Sequence, residues 1–111
     1  MKTLFICSRN QWRSPTAERV FAVGYGISTR SAGTSRQAQH TISSQDIAWA
    51  DLIFVMEHKH KQNIKQKFPQ QLQHKKIVVL DIPDDYHYMD EELIELLQAV
   101  VTPYLDENTL Y

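Results

Sequence analysis

Cys7 and Arg13 stand near the start of the chain with five residues between them, inside the stretch Cys7-Ser8-Arg9-Asn10-Gln11-Trp12-Arg13-Ser14. A thiol so placed can act as a nucleophile once it is a thiolate, and an arginine can present a planar fork to two oxygens of one phosphate. If an apolar strand precedes this stretch and a helix follows it, the joining loop can turn its backbone N–H groups inward, with a helix dipole behind them. Such a nest binds an anion, and the same positive field favours the thiolate. Ser14 can donate its hydroxyl to that sulfur. The candidate phosphate-binding residues are therefore Ser8, Arg9, Asn10, Gln11, Trp12, Arg13 and Ser14, with Cys7 as nucleophile. A lone cysteine is often just a buried apolar residue; the arginine at fixed spacing and the strand-to-helix turn favour the reactive alternative.

The elements that must position these residues are legible as alternating apolar runs and amphipathic stretches. Thr3–Cys7 reads as a buried strand. Ser14-Pro15 reads as a helix start, Ser as N-cap and Pro at the first helical position, with Ala17, Val20 and Phe21 on one face and Gly24 as terminator. Ile27–Ala32 is a second strand and Gly33–Ser43 a polar loop. Ser43-Ser44-Gln45-Asp46 resembles a capping box for a short helix through Trp49. Leu52–Met56 and Lys76–Leu80 are buried strands on either side of a polar, basic helix, Glu57–Phe68. After the loop Asp81–Met89, a stripe of Leu93, Leu96, Leu97, Val100, Val101 and Tyr104 predicts a helix over Asp90–Tyr104. This order implies an α/β three-layer sandwich: a four-stranded parallel sheet, helices on both faces, and a phosphate-binding loop after strand 1. Ligands of such sheets bind beyond the C-terminal ends of the strands. Cys7 sits at one such end, and the Asp81–Asp85 loop follows another.

The bulk composition narrows the classes. The 111 residues, 42% hydrophobic and 23% charged, suit one globular domain spanning 1–111. A net charge of −1 provides no global field toward nucleic acid or a membrane surface. No run is long enough for a membrane span, and Leu4–Cys7 is too short for the apolar region of a signal peptide. A single cysteine cannot form an internal disulfide, which favours a reducing compartment; the expected location is cytoplasmic. His58 and His60 lie two apart, point to different faces of a helix and have no ligand partner at a suitable spacing, so neither metal nor cofactor is expected. The lysines around them read as a solvated face, and His87 as a solvated loop residue. Gly24-Tyr25-Gly26 is a turn rather than a nucleotide fingerprint.

CSRNQWRSPTAE resembles the signature of the low-molecular-weight protein tyrosine phosphatases, Cys-x5-Arg-Ser-Pro-x-Ala-Glu. Ser31-Ala32-Gly33-Thr34, the run Ala50 to Glu57, and Leu80-Asp81-Ile82-Pro83-Asp84-Asp85-Tyr86 resemble later segments of that family in the same order. The resemblance implies a cysteine-dependent phosphomonoester hydrolase acting through a cysteinyl-phosphate, with Cys7, Arg13 and Asp84 as catalytic residues. It further implies that Asn10 shapes the loop, that Ser14 steadies the thiolate, and that the partner is a phosphorylated substrate. Two alternatives stay open: a non-catalytic phosphate-binding or regulatory module, and a phosphatase for nucleotide or RNA-end phosphate. Arsenate reduction is set aside, because it needs further cysteines. The chain departs from the pattern at four places. Arg9 stands where glycine is usual, so it is expected either to carry backbone strain or to lean over the pocket. Trp12 replaces a second cysteine that could trap an oxidised nucleophile. Asp85 replaces proline, leaving two candidate acids, of which Asp84 keeps the register. A segment carrying an aromatic wall is missing between Thr34 and Ile47, and Tyr86 and Tyr88, with Trp12, are candidates to replace it.

Overall fold

The computed structural model describes residues 1–109, with side chains described through Leu105. Its strands are β1 (Lys2–Cys7), β2 (Ser28–Gly33), β3 (Leu52–Val55) and β4 (Lys76–Val79). Its helices are α1 (Arg13–Phe21), α2 (Ser44–Trp49), α3 (His58–Lys67) and α4 (Glu91–Thr109). All pairings are parallel, in the order β2-β1-β3-β4. The chain steps outward from β1 to β2, then crosses back to build β3 and β4 on the other side. The reversal of direction falls between β1 and β3, where a parallel sheet opens its ligand crevice.

Successive strand side chains face opposite ways, so β1 and β3 are buried on both faces. Phe5, Cys7, Leu52 and Phe54 share one core cluster with Ala17 and Phe21 of α1 and Leu93, Leu97, Val101 and Leu105 of α4. Leu4, Ile6, Ile53 and Val55 share the other with Ile47 of α2 and Ile64 of α3. The sheet is thus the middle of three layers, as its sequence pattern implies. In the first cluster Phe5 stacks between Phe21 and Phe54, with ring centroids 5.7 and 5.4 Å away.

Local chemistry explains most boundaries and corrects two. Ser43 caps α2: its hydroxyl accepts from the Asp46 N–H, and the Asp46 carboxylate accepts from the Ser43 N–H in return. Ser14 does not cap α1. The helix begins two residues earlier than expected, at Arg13, with Trp12 as N-cap and no side-chain cap. The Ser14 hydroxyl is turned instead toward Cys7, Asn10 and Ala32. Helix α4 runs past the expected Tyr104 to Thr109, because Leu105 extends the stripe one more turn into the core.

Gly33, at the end of β2, permits the loop after β1 to lie against the sheet edge. A Cβ on Gly33 would fall 2.5 Å from the Ser8 carbonyl oxygen, 2.6 Å from the Ala38 Cβ and 3.0 Å from the Asn10 nitrogen. Two of these neighbours are backbone atoms, which cannot step aside without moving the loop. Gly33→Ala should therefore cost about 1–3 kcal/mol in denaturant unfolding and disturb the loop amide resonances; a variant of wild-type stability with unmoved resonances would contradict the close approach. Phe54→Ala, which empties a fully buried ring site, should cost about 3–5 kcal/mol in the same measurement.

Candidate active site

The loop between β1 and α1 is shaped from outside. The carbonyls of Cys7, Ser8 and Arg9 accept hydrogen bonds from the N–H groups of Thr34 (3.0 Å), Ser35 (2.9 Å) and Gln39 (3.0 Å). In a trans peptide the C=O of one residue and the N–H of the next point in opposite directions. With three carbonyls drawn outward, the N–H groups of Ser8, Arg9 and Asn10 face inward, beside the first-turn N–H groups of α1. Concentrated N–H groups at the positive end of a helix make an anion site. The turn needs a left-handed residue, and Asn10 supplies it with φ at 54°, a conformation asparagine tolerates well. Arg9 is not among the positive-φ residues, so its side chain carries no such strain. It is exposed, bonds Gln37 at 2.9 Å and helps line the cleft, which matches the second of the two expectations for it.

Cys7 lies at the floor of that cleft, only 3% exposed. The walls are Ser8, Arg9, Gln11, Trp12, Arg13 and Asp84. The Cys7 Sγ is 2.9 Å from the Ser14 Oγ, and either atom can donate. Asn10 Nδ2 donates to the Ser14 Oγ and to the Ser31 Oγ, both at 2.9 Å. Ser31 in turn bonds the Glu18 carboxylate. Sulfur, serine and asparagine are thereby tied to α1 and β2 in one chain of contacts.

Arg13 is 2% exposed. Its Nη1 donates to the Glu57 carboxylate at 2.6 Å and to the Ile82 carbonyl at 2.8 Å. Its Nε lies 3.6 Å from the Asp84 Oδ1. One corner of the guanidinium is thus anchored in protein, which leaves the Nε edge toward the cleft and Asp84 at its rim. Asp84 is itself well exposed, and Asp85 is exposed but lies outside the lining.

Sequence reasoning missed two residues of this arrangement. Glu57, just past β3, is the anion that pairs with Arg13. His60 is not part of a solvated face: it is 1% exposed. The Glu57 N–H donates to its Nδ1 at 3.0 Å, and its Nε2 lies 2.8 Å from the Ser8 Oγ. The available signal was the pairing of His60 with Ile64 one turn on, which puts both on the buried face. Of the aromatic candidates, Trp12 lines the cleft, its ring edge-on to His87 at 5.0 Å. Tyr86 packs against the apolar core and Tyr88 stands exposed; neither lines the cleft. No grouping of three or more potential metal-ligating side chains occurs among the described residues, and no described helix is long and apolar enough to cross a membrane.

Two groups of this cluster set an acid limit on stability. Burial pushes the Glu57 carboxyl up, but the hydrogen bond and charge of Arg13, helped by Lys59 and His60, outweigh it and leave the group below the usual carboxylate range. Its contribution is in place above the ordinary pKa and is lost as pH falls through the lowered one. Burial, then the Arg13 charge, pushes the His60 imidazole down from 6.5 to about 4. Between those values the unfolded chain takes up a proton that the folded chain refuses, so stability is complete above pH 6.5 and declines toward pH 4. The decline should reach about 3 kcal/mol. His60→Gln should flatten that part of the curve in urea titrations; an unchanged slope would show that His60 is not the titrating group.

No family sequence model matches the chain, and no curated protein is significantly similar to it in sequence. Solved structures are similar in fold. The YwlE arginine phosphatase of Geobacillus stearothermophilus superposes with a TM-score of 0.79 at 20% identity, over 98% of this chain and 93% of that one. Wzb of Vibrio vulnificus, solved with benzylphosphonate, gives 0.77 at 22% identity, over 96% and 97%. SP-PTP of Streptococcus pyogenes, a low-molecular-weight protein tyrosine phosphatase, gives 0.77 at 22%, over 96% and 91%. The resemblance seen in the sequence thus extends to the whole backbone: the chain is built on the low-molecular-weight protein tyrosine phosphatase fold.

Proposed function

We propose that the protein is a cysteine-dependent phosphomonoester hydrolase. The observation that carries this reading is the convergence on one small cleft of a thiol at its floor, a buried guanidinium in its wall, inward N–H groups and a carboxyl at its rim. In the first step the Cys7 thiolate attacks phosphorus, and the bond from phosphorus to the leaving oxygen breaks. Asp84, entering protonated, gives its proton to that oxygen. Arg13 and the N–H groups of Ser8–Arg13 hold the equatorial oxygens as charge redistributes. In the second step water attacks the cysteinyl-phosphate, Asp84 takes a proton from it, the S–P bond breaks and inorganic phosphate leaves. Ser14 accepts from Asn10, and its one hydrogen lies within reach of both the Ala32 carbonyl (3.3 Å) and the sulfur (2.9 Å); turned to the sulfur, it would steady the thiolate.

Asp84 is favoured over Asp85 as the acid because it lines the cleft and approaches the Arg13 Nε. The substrate is a phosphorylated protein side chain or a small phosphomonoester. Phosphotyrosine and phosphoarginine peptides both belong in the assay, since the rim offers an aromatic surface in Trp12 and, in Asp84, an exposed carboxylate that suits a guanidinium.

Turnover of p-nitrophenyl phosphate tests the reading. Cys7→Ser should abolish it, and Asp84→Asn should lower kcat by about 10²–10³, with Asp85→Asn within about threefold of wild type. Wild-type turnover no faster than that of Cys7→Ser would reject the enzyme and leave the phosphate-binding module. A crippled Asp85→Asn beside a healthy Asp84→Asn would reverse the acid assignment.

A further inference from the structure

We propose that His60 is a positioning residue that makes the Ser8 hydroxyl a fixed hydrogen-bond donor to the phosphoryl group held in the cleft. The inference rests on the phosphatase reading above and adds to it a side-chain donor beyond the loop N–H groups.

Hydrogen-bond bookkeeping carries it. His60 Nδ1 accepts the Glu57 N–H at 3.0 Å, so that nitrogen holds no proton. A neutral imidazole keeps its one proton on the other nitrogen. That nitrogen, Nε2, lies 2.8 Å from the Ser8 Oγ, so His60 donates and Ser8 accepts. The remaining Ser8 hydrogen must then point away from the imidazole. Ser8 shares the cleft with Cys7, Gln11, Arg13 and Asp84, and the acceptor that this cleft is built to receive is a phosphoryl oxygen. A hydroxyl that already accepts one hydrogen bond is polarised as a donor for the next. No proton is transferred, so the device works without titrating.

The surroundings keep the imidazole in that state. The charged groups facing it are Arg13 of α1, Glu57 at the start of α3, Lys59 on α3 and Asp84 in the loop before α4. Burial and the Arg13 charge are the two largest effects on the ring, and both disfavour a second proton. Charging the ring would also place a hydrogen on Nδ1 against the Glu57 N–H and open the start of α3. The arrangement therefore links the α3 start to the phosphate loop through one imidazole, from the side opposite the Asn10 and Ser31 contacts.

Wild type, Ser8→Ala, His60→Ala, His60→Gln and the Ser8→Ala/His60→Ala double variant are compared in two measurements: calorimetric binding of inorganic phosphate and hydrolysis of p-nitrophenyl phosphate. Each single alanine variant should weaken phosphate binding and lower kcat/KM about tenfold. The double variant should be no worse than either single, because the two residues act as one unit. His60→Gln, whose amide N–H can reach Ser8, should recover most of the loss. Nitrogen NMR of wild type should find His60 as the neutral Nε2–H form from pH 6 to 8, a test that needs no variant to fold. Single variants within twofold of wild type in phosphate binding, additive losses in the double variant, or an Nδ1–H ring would each overturn the proposal. If wild type proves no faster than Cys7→Ser, the phosphatase reading falls, while the phosphate titration still judges the Ser8–His60 unit by itself.

Discussion

A guanidinium that is all but sealed from water organises this molecule. Burying a guanidinium without partners would cost several kcal/mol. The chain meets that demand from three directions. Glu57 comes from the end of β3, the Ile82 carbonyl from the segment after β4, and Asp84 from the loop beyond it. The C-terminal ends of two strands and the start of α1 are therefore obliged to meet at one point. The cleft is the space left over where they meet, and its positive lining follows from the same charge. An anion that enters competes with Asp84 for the Nε edge, since the opposite corner is already committed to Glu57 and Ile82.

Two hydrogen-bonded chains hold the loop between β1 and α1 from opposite flanks. On the β2 side, Asn10 joins Ser14 and Ser31, and Ser31 joins Glu18 of α1. On the β3 side, Ser8 joins His60, and His60 joins the Glu57 backbone, whose side chain returns to Arg13. The Cys7 sulfur and the Arg13 guanidinium thus belong to separate hydrogen-bonded networks, joined through the loop and the first turns of α1.

What the sequence revealed and what it hid differ for physical reasons. The thiol–arginine spacing, the apolar runs of β1 and β3 and the Ser43–Asp46 capping box are local patterns, and each matches the fold. Ser14-Pro15 also looks like a local pattern, a helix cap. It misleads because the Ser14 hydroxyl finds partners distant in sequence: Cys7 seven residues away and Ala32 eighteen away. His60 was hidden by its neighbours. Among Lys59, Lys61 and Lys65 it reads as part of a charged surface, and only the turn-spaced Ile64 hints at its burial. Glu57 closes the family-like run that begins at Ala50, but its pairing with Arg13 gave no local signal, because that partner lies forty-four positions earlier. The two tyrosines also answer to distant partners: Tyr86 lies in the loop after β4, but its ring packs against the apolar core, and Tyr88 stands exposed outside the cleft lining.

The strap formed by residues 34–39 has one more implication. Its three N–H groups grip loop carbonyls on the outer surface, and side-chain-free Gly33 lets the loop settle against the sheet, so the entropy of ordering the bowl is spent when the chain folds. On the proposed reading, a small tetrahedral ion arriving later would meet a finished receptacle and lose little of its attraction to rearranging the host. Recognition can then reside in the ion itself, with whatever it is attached to remaining largely interchangeable, and discrimination among carriers falls to the few side chains standing around the mouth.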